Sequence, residues 1–296
     1  MPSPFRHVAI FGKRSDLDPQ ALAALVDIVE ASGATPWLET STAARLGWSA
    51  ERGHELQELA ARADLAIVLG GDGTMLGIAR ELAPHGTPLI GVNHGRLGFI
   101  TDIPLDGMQA LLPAMLGGQF ETDSRPLLAA EVVRDGRCIY AARALNDMVI
   151  SRGVAGGMVE FTVRVDGLAM SNQRADGVIL ATATGSTAYA LSAGGPILHP
   201  RLGGLTLVPV APQTLSNRPI VLPDDVFVEI EITDVRDATA HFDMQSFADL
   251  KPGDIVNARR APEAVTLLHP VGHNHFDTLR RKLHWNFMPS EPHARG

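Results

Sequence analysis

The sequence predicts two domains: an α/β domain over residues 1–124 and a β-rich domain over residues 125–296. Before residue 125, short apolar runs alternate with helical stretches, which is the pattern of a parallel α/β sheet. After it, short runs with alternating apolar residues are interrupted by tight turns, which is typical of antiparallel strands. A chain of 296 residues also suits two domains of ordinary size.

The first domain reads as a Rossmann-like succession of strands and helices. The spacing of the apolar residues predicts strands at 7–11, 64–71 and 87–93 and helices at 19–33, 74–86 and 104–118. Gly33 suits the C-terminus of the first helix, and Pro113 is expected to interrupt the last one. The domain is therefore expected to have a parallel sheet.

The second domain reads as a sandwich of short strands. "EVVRDGRCIY" (131–140) and "FTVRVDGLAM" (161–170) each contain Asp-Gly between alternating apolar residues, which predicts two hairpins. Near the end, Phe276, Leu279 and Leu283 share one helical face, so a closing helix is expected. The tail from about 272 to 296 is expected to pack back on the first domain. Further strands are expected in "GVILAT", "LTLVPVA", "RPIVLP", "DVFVEIEIT" and "DIVNARRA".

Composition excludes several classes of partner. The 25 basic and 33 acidic residues give a net charge of −8, and no basic run marks a nucleic-acid interface. The single cysteine, Cys138, excludes an intramolecular disulfide framework and suits a reducing compartment. No apolar stretch reaches the roughly 20 residues of a transmembrane helix. We therefore expect a cytoplasmic protein that binds neither nucleic acid nor membrane.

"GGDGT" (70–74) places one acid among glycines where a strand passes into a helix. Backbone N–H groups and the helix dipole make such a junction suitable for phosphate. The glycine spacing matches neither the dinucleotide fingerprint nor a P-loop. Asp72 is then either a solvated turn residue or a group that takes a proton, holds a metal ion or orients a hydroxyl. These residues alone leave both interpretations open.

Two further segments combine small and polar residues. "NQRADGVILATATGSTAYALSAGGPIL" (172–198) suits close approach of a ligand to the backbone, with hydroxyl groups supplying directional hydrogen bonds. The alternative is a junction that uses small residues for packing. In "ALNDMVISRG" (144–153), Asn146 and Asp147 suit a vicinal diol, and equally suit a turn.

Taken together, these motifs resemble the bacterial NAD kinases in order and spacing. The resemblance rests on "GGDGT", "LND" (145–147), "NQRADG" (172–177), "TGSTAYALSAGGPIL" (184–198) and "SNRPIVLP" (216–223). Diacylglycerol kinases, sphingosine kinases and phosphofructokinases have loops similar to "GGDGT", whereas "TGSTAY" with "GGPI" is far more specific. The resemblance implies transfer of the γ-phosphate of ATP to the 2′-hydroxyl of the adenosine ribose of NAD. It also implies a divalent cation, Mg²⁺ or Mn²⁺, held through the nucleotide phosphates, and a homodimer or homotetramer. It leaves open whether polyphosphate replaces ATP as the donor.

The same resemblance implies roles for individual residues. Asp72 accepts the proton of the 2′-hydroxyl, and the loop residues beside it line the phosphates. Asp147 contacts the ribose together with Asn146, and Asp176 holds a carboxamide. Arg174 resembles the residue that discriminates against NADH. The full set implied for binding is Gly71, Gly73, Thr74, Phe99, Asn146, Asp147, Arg174, Asp176, Thr184, Thr187, Ala188, Tyr189, Ala190, Leu191, Ser192 and Gln245.

Three positions depart from the family pattern. Asp147 stands where Glu is usual, which shortens its reach by one methylene group. Ala175 stands where Ser is common, and Ala183 stands where Pro is common. The shorter reach leaves the detail of the Asp147 contact open, whereas neither alanine removes a group that phosphoryl transfer requires.

The histidines near the C-terminus give no recognised zinc spacing. They are separated by 4, 2 and 9 residues, so structural or surface roles are expected and no protein metal site is predicted. The four are His269, His273, His275 and His284.

Two other functions stay open on the sequence. A lipid kinase would share the "GGDGT" loop and a following β domain, but would require an apolar acceptor pocket or a basic membrane-facing patch. A non-catalytic NAD(P) sensor would keep the pocket without turnover, and the presence of Asp72 argues against it. Vesicle binding tests the first alternative and a phosphate-transfer assay tests the second.

Overall fold

A computed structural model of the chain describes residues 3–13, 17–49, 52–95, 98–154 and 156–285. Its backbone divides into two compact units: residues up to Asp123 with residues from Val265 onward, and Ser124–Ala264. Within these described ranges, none of the helices combines the length and apolar character that crossing a bilayer requires. The part of the expected C-terminal tail after residue 285 lies outside the described residues.

The first unit is built on a parallel sheet with helices. Its elements are β1 (His7–Gly12), α1 (Pro19–Ala31), β2 (Thr35–Glu39), α2 (Thr40–Arg45), β3 (Gly53–His54), α3 (Leu56–Arg62), β4 (Leu65–Gly70), α4 (Asp72–Leu82), β5 (Leu89–Asn93), β6 (Ile103–Pro104) and α5 (Met108–Leu116). The strand order is β5-β4-β1-β2-β3, and β6 pairs with β5 in parallel. The end of a long strand, Ile255–Pro270, also pairs with β5 in parallel, through Leu267 and Leu89. A helix at His275–Leu283 follows it.

Local sequence explains why these elements form. Strand β4, "LAIVLG", is buried at every residue, as expected for a central parallel strand with both faces covered. Helix α1 begins with Pro19, and the Asp18 side chain caps it by accepting a hydrogen bond from the Gln20 N–H. Gly33 follows this helix at φ +84°, a conformation that glycine adopts without a Cβ penalty. The buried face of α1 adds Leu22, Leu25 and Val29 to the core.

One sequence-based expectation about the helices is wrong. Helix α5 continues through Pro113 to Leu116, although proline removes one backbone hydrogen bond. Its fully or nearly fully buried side chains, among them Leu112 and Met115, offset a cost of about 3 kcal/mol. The expected closing helix is present, with its apolar face partly buried, since Leu279 is in the core while Phe276 is 54% exposed.

The second unit contains two antiparallel sheets. Its elements are β7 (Phe120–Arg134), β8 (Arg137–Ala144), β9 (Asp147–Arg152), β10 (Val159–Val165), β11 (Leu168–Ala175), β12 (Gly177–Ala181), α6 (Tyr189–Ser192), β13 (Gly204–Val210), β14 (Ile220–Pro223), β15 (Val228–Asp234), β16 (Ala238–Phe242), β17 (Ser246–Leu250) and β18 (Ile255–Pro270). Strand β7 begins in the first unit, and strand β18 ends in it. The helix of the first unit at His275–Leu283 is α7. One sheet has the order β11-β10-β15-β18, with the hairpin β7-β8 beside β18. The other has the order β14-β13-β12-β9-β16-β17.

Both predicted hairpins are present. Strands β7 and β8 are joined by Asp135 and Gly136, and β10 and β11 by Asp166 and Gly167, all four with positive φ. Two consecutive residues with positive φ form a type I′ turn, whose twist matches that of the strands. The two Asp-Gly pairs therefore fix the register of both hairpins.

The core of the second unit explains its sandwich-like form. One buried cluster combines residues from the two sheets, including Phe161 and Ile230 of one and Leu180 and Phe242 of the other. Alternation along each strand sends these side chains to the shared interior. The predicted fold class is confirmed: an α/β unit, a β-rich unit, and a C-terminal helix that belongs to the first.

Candidate active site

The loop between β4 and α4 presents an acid at the start of a helix. Gly71 is the N-cap of α4, and Asp72 is its first residue, so the carboxylate lies in the positive end of the helix dipole. A Cβ added at Gly71 or Gly73 would have no neighbouring atom within 4 Å. These glycines therefore leave open space in front of the helix start. The helix begins two residues earlier than the periodicity predicted.

A second loop holds the Asp72 carboxylate in one orientation. Its Oδ2 accepts a hydrogen bond from the Phe99 N–H at 2.8 Å. Its Oδ1 accepts from Thr101 Oγ1 at 2.8 Å, from the Thr101 N–H at 3.2 Å and from the Ile100 N–H at 3.3 Å. Charge-assisted hydrogen bonds are the strong ones, so the acid is oriented before any ligand binds. A free, solvated turn residue would not have this environment.

Glycine is required where this loop passes the acid. A Cβ at Gly98 would overlap both Asp72 Oδ1 and Thr101 Oγ1. Thr101 is fully buried, and its Oγ1 also accepts a hydrogen bond from Asn93 Nδ2 at 2.9 Å. Sequence reasoning missed Gly98 and Thr101, because their role depends on a contact across 26 to 29 residues. For Phe99, one of the residues implied for binding, the contact with Asp72 is made by the backbone.

In the second unit, a buried acid organises the predicted "LND" turn. The Asp243 carboxylate accepts hydrogen bonds from the N–H groups of Leu145 at 2.9 Å, Asn146 at 2.7 Å and Asp147 at 3.2 Å. The Asp243 N–H in turn donates to the Asp147 carbonyl at 2.9 Å. Sequence reasoning named Gln245, two residues away, and missed Asp243. The sequence signal for Asp243 was an acid in a hairpin turn, and because acids are common in turns this signal did not single the residue out.

The Asp147 side chain is buried beside this acid, with 2% of its residue surface exposed. Burial, and in second place the charge of Asp243, together raise the pKa of Asp147 from 3.8 to about 7. Near neutral pH the carboxyl group therefore exists in both forms, as a hydrogen-bond donor when protonated and as an acceptor when ionised.

The "TGST" segment packs directly on the "LND" turn. A Cβ at Gly185 would overlap the Asn146 backbone. Thr182 donates through its N–H to the Asn146 carbonyl at 2.8 Å and through Oγ1 to the Leu145 carbonyl at 2.6 Å. The structure thus brings together two motifs that are far apart in the sequence. Thr184 is buried here, and its Oγ1 accepts a hydrogen bond from Arg125 at 3.2 Å.

A cleft of about 540 Å³ in the second unit contains two other predicted residues, Asp176 and Tyr189. Asp176 forms an ion pair with Arg152, Nε to Oδ1 at 2.8 Å, and Arg152 also lines the cleft. His241 lines it as well, and burial lowers the pKa of His241. Sequence reasoning did not single out Arg152. An arginine, a carboxylate and a tyrosine in one cleft suit a polar aromatic ligand.

The remaining predicted binding residues differ in accessibility. Ala190 is fully buried and packs in a small core with Val149 and Val208, so its side chain supports the segment from within. Arg174 is exposed and pairs with Glu160 at 3.4 Å. Residues with at least part of their surface exposed are Thr74, Thr187, Ala188, Leu191, Ser192 and Gln245.

The comparisons with known proteins agree with these motifs. The family model for the ATP-NAD kinase N-terminal domain matches residues 26–120, and the family model for the ATP-NAD kinase C-terminal domain matches residues 145–269. A protein named NAD kinase from Cupriavidus pinatubonensis is 53% identical over 290 residues, which are 98% of this chain and 95% of that protein. Another from Paraburkholderia phymatum is 54% identical over 289 residues, covering 97% and 96%.

Two solved structures are similar in fold. Yeast NADH kinase complexed with NADH has a TM-score of 0.87 at 22% identity, covering 99% of this chain and 90% of that one. An NAD kinase from Archaeoglobus fulgidus in complex with ATP has a TM-score of 0.74 at 24% identity, covering 94% and 98%.

A glycine-flanked acid at a helix start defines a class of protein that handles phosphate. The comparisons narrow this class of phosphate-handling proteins to a single family. This chain belongs to the ATP-NAD kinase family, as the motifs predicted.

Proposed function

We propose that this chain transfers the γ-phosphate of ATP to the 2′-hydroxyl of the adenosine ribose of NAD, with Asp72 as the proton acceptor. Membership of the ATP-NAD kinase family supports the reaction. The observation that supports the role of Asp72 is its carboxylate, oriented by four hydrogen bonds from residues 99–101 beside open glycine positions. A lipid kinase would use the same loop, but the full-length match is to the NAD kinases.

In the proposed reaction the protein contributes little covalent chemistry of its own. In phosphoryl transfer, placement of the attacking oxygen in line with the leaving group and neutralisation of charge supply most of the catalysis. Asp72 orients the 2′-hydroxyl and takes its proton as the oxygen attacks the γ-phosphorus. The bond to the β-γ bridging oxygen then breaks, and ADP leaves. The divalent cation, Mg²⁺ or Mn²⁺, enters as part of the ATP substrate complex.

The phosphate side of the proposed site is the start of α4. Gly71, Gly73 and Thr74 are proposed to line it, and the absence of side chains on the glycines allows close approach. The helix dipole adds positive potential without a lysine or arginine. This arrangement is consistent with a protein whose net charge is −8.

The NAD side is assigned to residues of the second unit. Asn146 and Asp147 are proposed to contact ribose hydroxyls, where the mixed protonation of Asp147 allows it to donate or accept. Asp176 and Tyr189, which share one cleft, are proposed to bind a base through the carboxylate and the aromatic ring. The ion pair with Arg152 orients Asp176 for this contact. Arg174 is proposed to discriminate against NADH.

Several finer features belong to the same proposal. We propose that the chain works in the cytoplasm, where NAD and ATP are available, as a homodimer or homotetramer. Polyphosphate is a second donor to test beside ATP. Neither nucleic acid nor membrane is a proposed partner.

The deciding experiment is to incubate the purified protein with NAD, ATP and Mg²⁺ and to measure NADP. Asp72→Asn is expected to bind NAD within several-fold of wild type while turnover falls about 10²–10⁴-fold. Asp27→Asn, which replaces an exposed carboxylate on α1, is the matched control and should retain wild-type turnover. Normal turnover of Asp72→Asn would refute the assigned role. NAD binding without NADP formation by wild type would favour the sensor.

A further inference from the structure

Three side chains of the first unit, none of them part of the glycine loop, converge on one another. Asp102 Oδ2 lies 2.9 Å from Nδ1 of His269 and 2.9 Å from Nδ1 of His273. The two imidazole rings stack, with centroids 4.0 Å apart and an interplanar angle of 12°. Both rings thus direct the same nitrogen atom at one carboxylate oxygen. The sequence separation of Asp102 and His269 is 167 residues, so histidine spacing did not reveal the group.

The three side chains are shielded but reachable. Their exposed fractions are 8% for Asp102, 3% for His269 and 18% for His273. A cleft of about 160 Å³ opens onto Asp102 and His273, and its lining also includes Asp277 and Arg281. One potential ligand atom from each of the three residues lies within 4.8 Å of the others. An ion can therefore reach the cluster and be largely desolvated by it.

We propose that Asp102, His269 and His273 form a binding site for a divalent transition-metal ion of the zinc type. Two imidazole nitrogens and one carboxylate oxygen are ligands that zinc prefers, and three protein ligands leave one position for water. None of the three residues is assigned a contact with NAD or ATP in the proposed phosphorylation.

The opposite edge of the His269 ring supports this assignment. Asp123 Oδ2 lies 3.6 Å from His269 Nε2, the nitrogen that points away from Asp102. When Nδ1 binds a metal ion, the proton of the neutral ring is on Nε2, where a nearby carboxylate stabilises it. This carboxylate–histidine–metal arrangement is usual in protein zinc sites.

The geometry requires the ligand atoms to move apart and one imidazole to turn out of the stack, because nearly parallel rings 4.0 Å apart cannot both direct Nδ1 at one ion. With metal–ligand bonds of about 2.0–2.1 Å at a tetrahedral angle, neighbouring ligand atoms are about 3.3 Å apart. The two nitrogen-to-oxygen distances are 2.9 Å, so each has to lengthen by roughly 0.4 Å. His273 lies in the short connection between β18 and α7, where such a movement needs no change in the sheet.

A bound ion would brace the loop that holds Asp72. Asp102 directly follows Thr101, and residues 99–101 donate the hydrogen bonds to the Asp72 carboxylate. His269 and His273 come from the end of β18 and the segment after it. The ion would therefore tie the C-terminal segment to the loop that orients the acid.

Metal binding to the full-length protein tests the proposal. After dialysis against a chelator, the protein is titrated with Co²⁺ by visible absorption, and Zn²⁺ is then added to displace it. Wild type is expected to bind one Co²⁺ per chain with a tetrahedral-type spectrum. His273→Asn should weaken binding by at least about 100-fold and Asp123→Asn by about 10-fold. His85→Asn, which removes an exposed histidine elsewhere in the unit, should bind as wild type does.

Two results would overturn the proposal. If wild type binds no stoichiometric Co²⁺ or Zn²⁺, the three side chains form only a hydrogen-bonded cluster. If His273→Asn binds like wild type, the ion is held elsewhere. Far-UV circular dichroism checks that each variant is folded, and Asp123→Asn, at a partly exposed residue, gives the decisive comparison if His273→Asn does not fold.

Discussion

Replacement of Asp147 by Asn should change how the stability of the enzyme depends on pH. The Asp147 carboxyl group is 2% exposed and has its pKa raised to about 7, first by burial and then by the charge of Asp243. A raised pKa means that the folded state binds the proton more tightly than the unfolded state does. The free energy of unfolding therefore falls as pH rises from about 4 towards 7, because ionising the buried group costs stability.

The magnitude follows from the two pKa values. The difference between 3.8 and about 7 corresponds to about 4 kcal/mol above pH 7, at about 1.4 kcal/mol per pH unit. Of this, about 2–3 kcal/mol is lost between pH 5 and pH 8. Asn cannot ionise, so relative to wild type the Asp147→Asn variant should gain about 2–3 kcal/mol over that interval.

Urea unfolding at pH 5 and pH 8, followed by circular dichroism, measures this difference. Asp225→Asn, at an exposed carboxylate of the same unit, is the control and should follow the pH dependence of wild type. If Asp147→Asn also follows wild type between pH 5 and pH 8, the buried carboxyl group is not ionised over that range and the reasoning is wrong.

Two further variants test the contacts that position the site. Gly98→Ala places a Cβ against Asp72 Oδ1 and should lower NADP formation by about 10²-fold, since small displacements of a reacting group cost that much. Wild-type turnover in that variant would contradict the tight approach. Asp243→Ala leaves the buried N–H groups of residues 145–147 without their acceptor and should lower the free energy of unfolding by about 2–4 kcal/mol, measured by urea unfolding. A change below about 0.5 kcal/mol would show that these groups find other partners.

Local sequence was enough for the fold class and for the motifs. The Asp-Gly pairs at 135–136 and 166–167 set two hairpins because their turn type depends on those two residues alone. Apolar periodicity predicted β1, α1, β4 and β5, and the motif order from "GGDGT" to "SNRPIVLP" identified the family. The prediction that Pro113 interrupts the last helix of the first domain was wrong, because burial of the other α5 side chains decides whether the helix continues.

The partners of the predicted residues were decided by tertiary structure. The sequence by itself marked Asp72 and Asp147 as candidate site residues. It did not show that residues 99–101 orient the Asp72 carboxylate, or that the buried Asp243 carboxylate lies beside Asp147 and raises its pKa. The convergence of Asp102 with His269 was equally invisible. The physical reason is that hydrogen bonding, burial and the resulting pKa depend on which groups folding brings within a few ångströms, whereas sequence patterns report only neighbours along the chain.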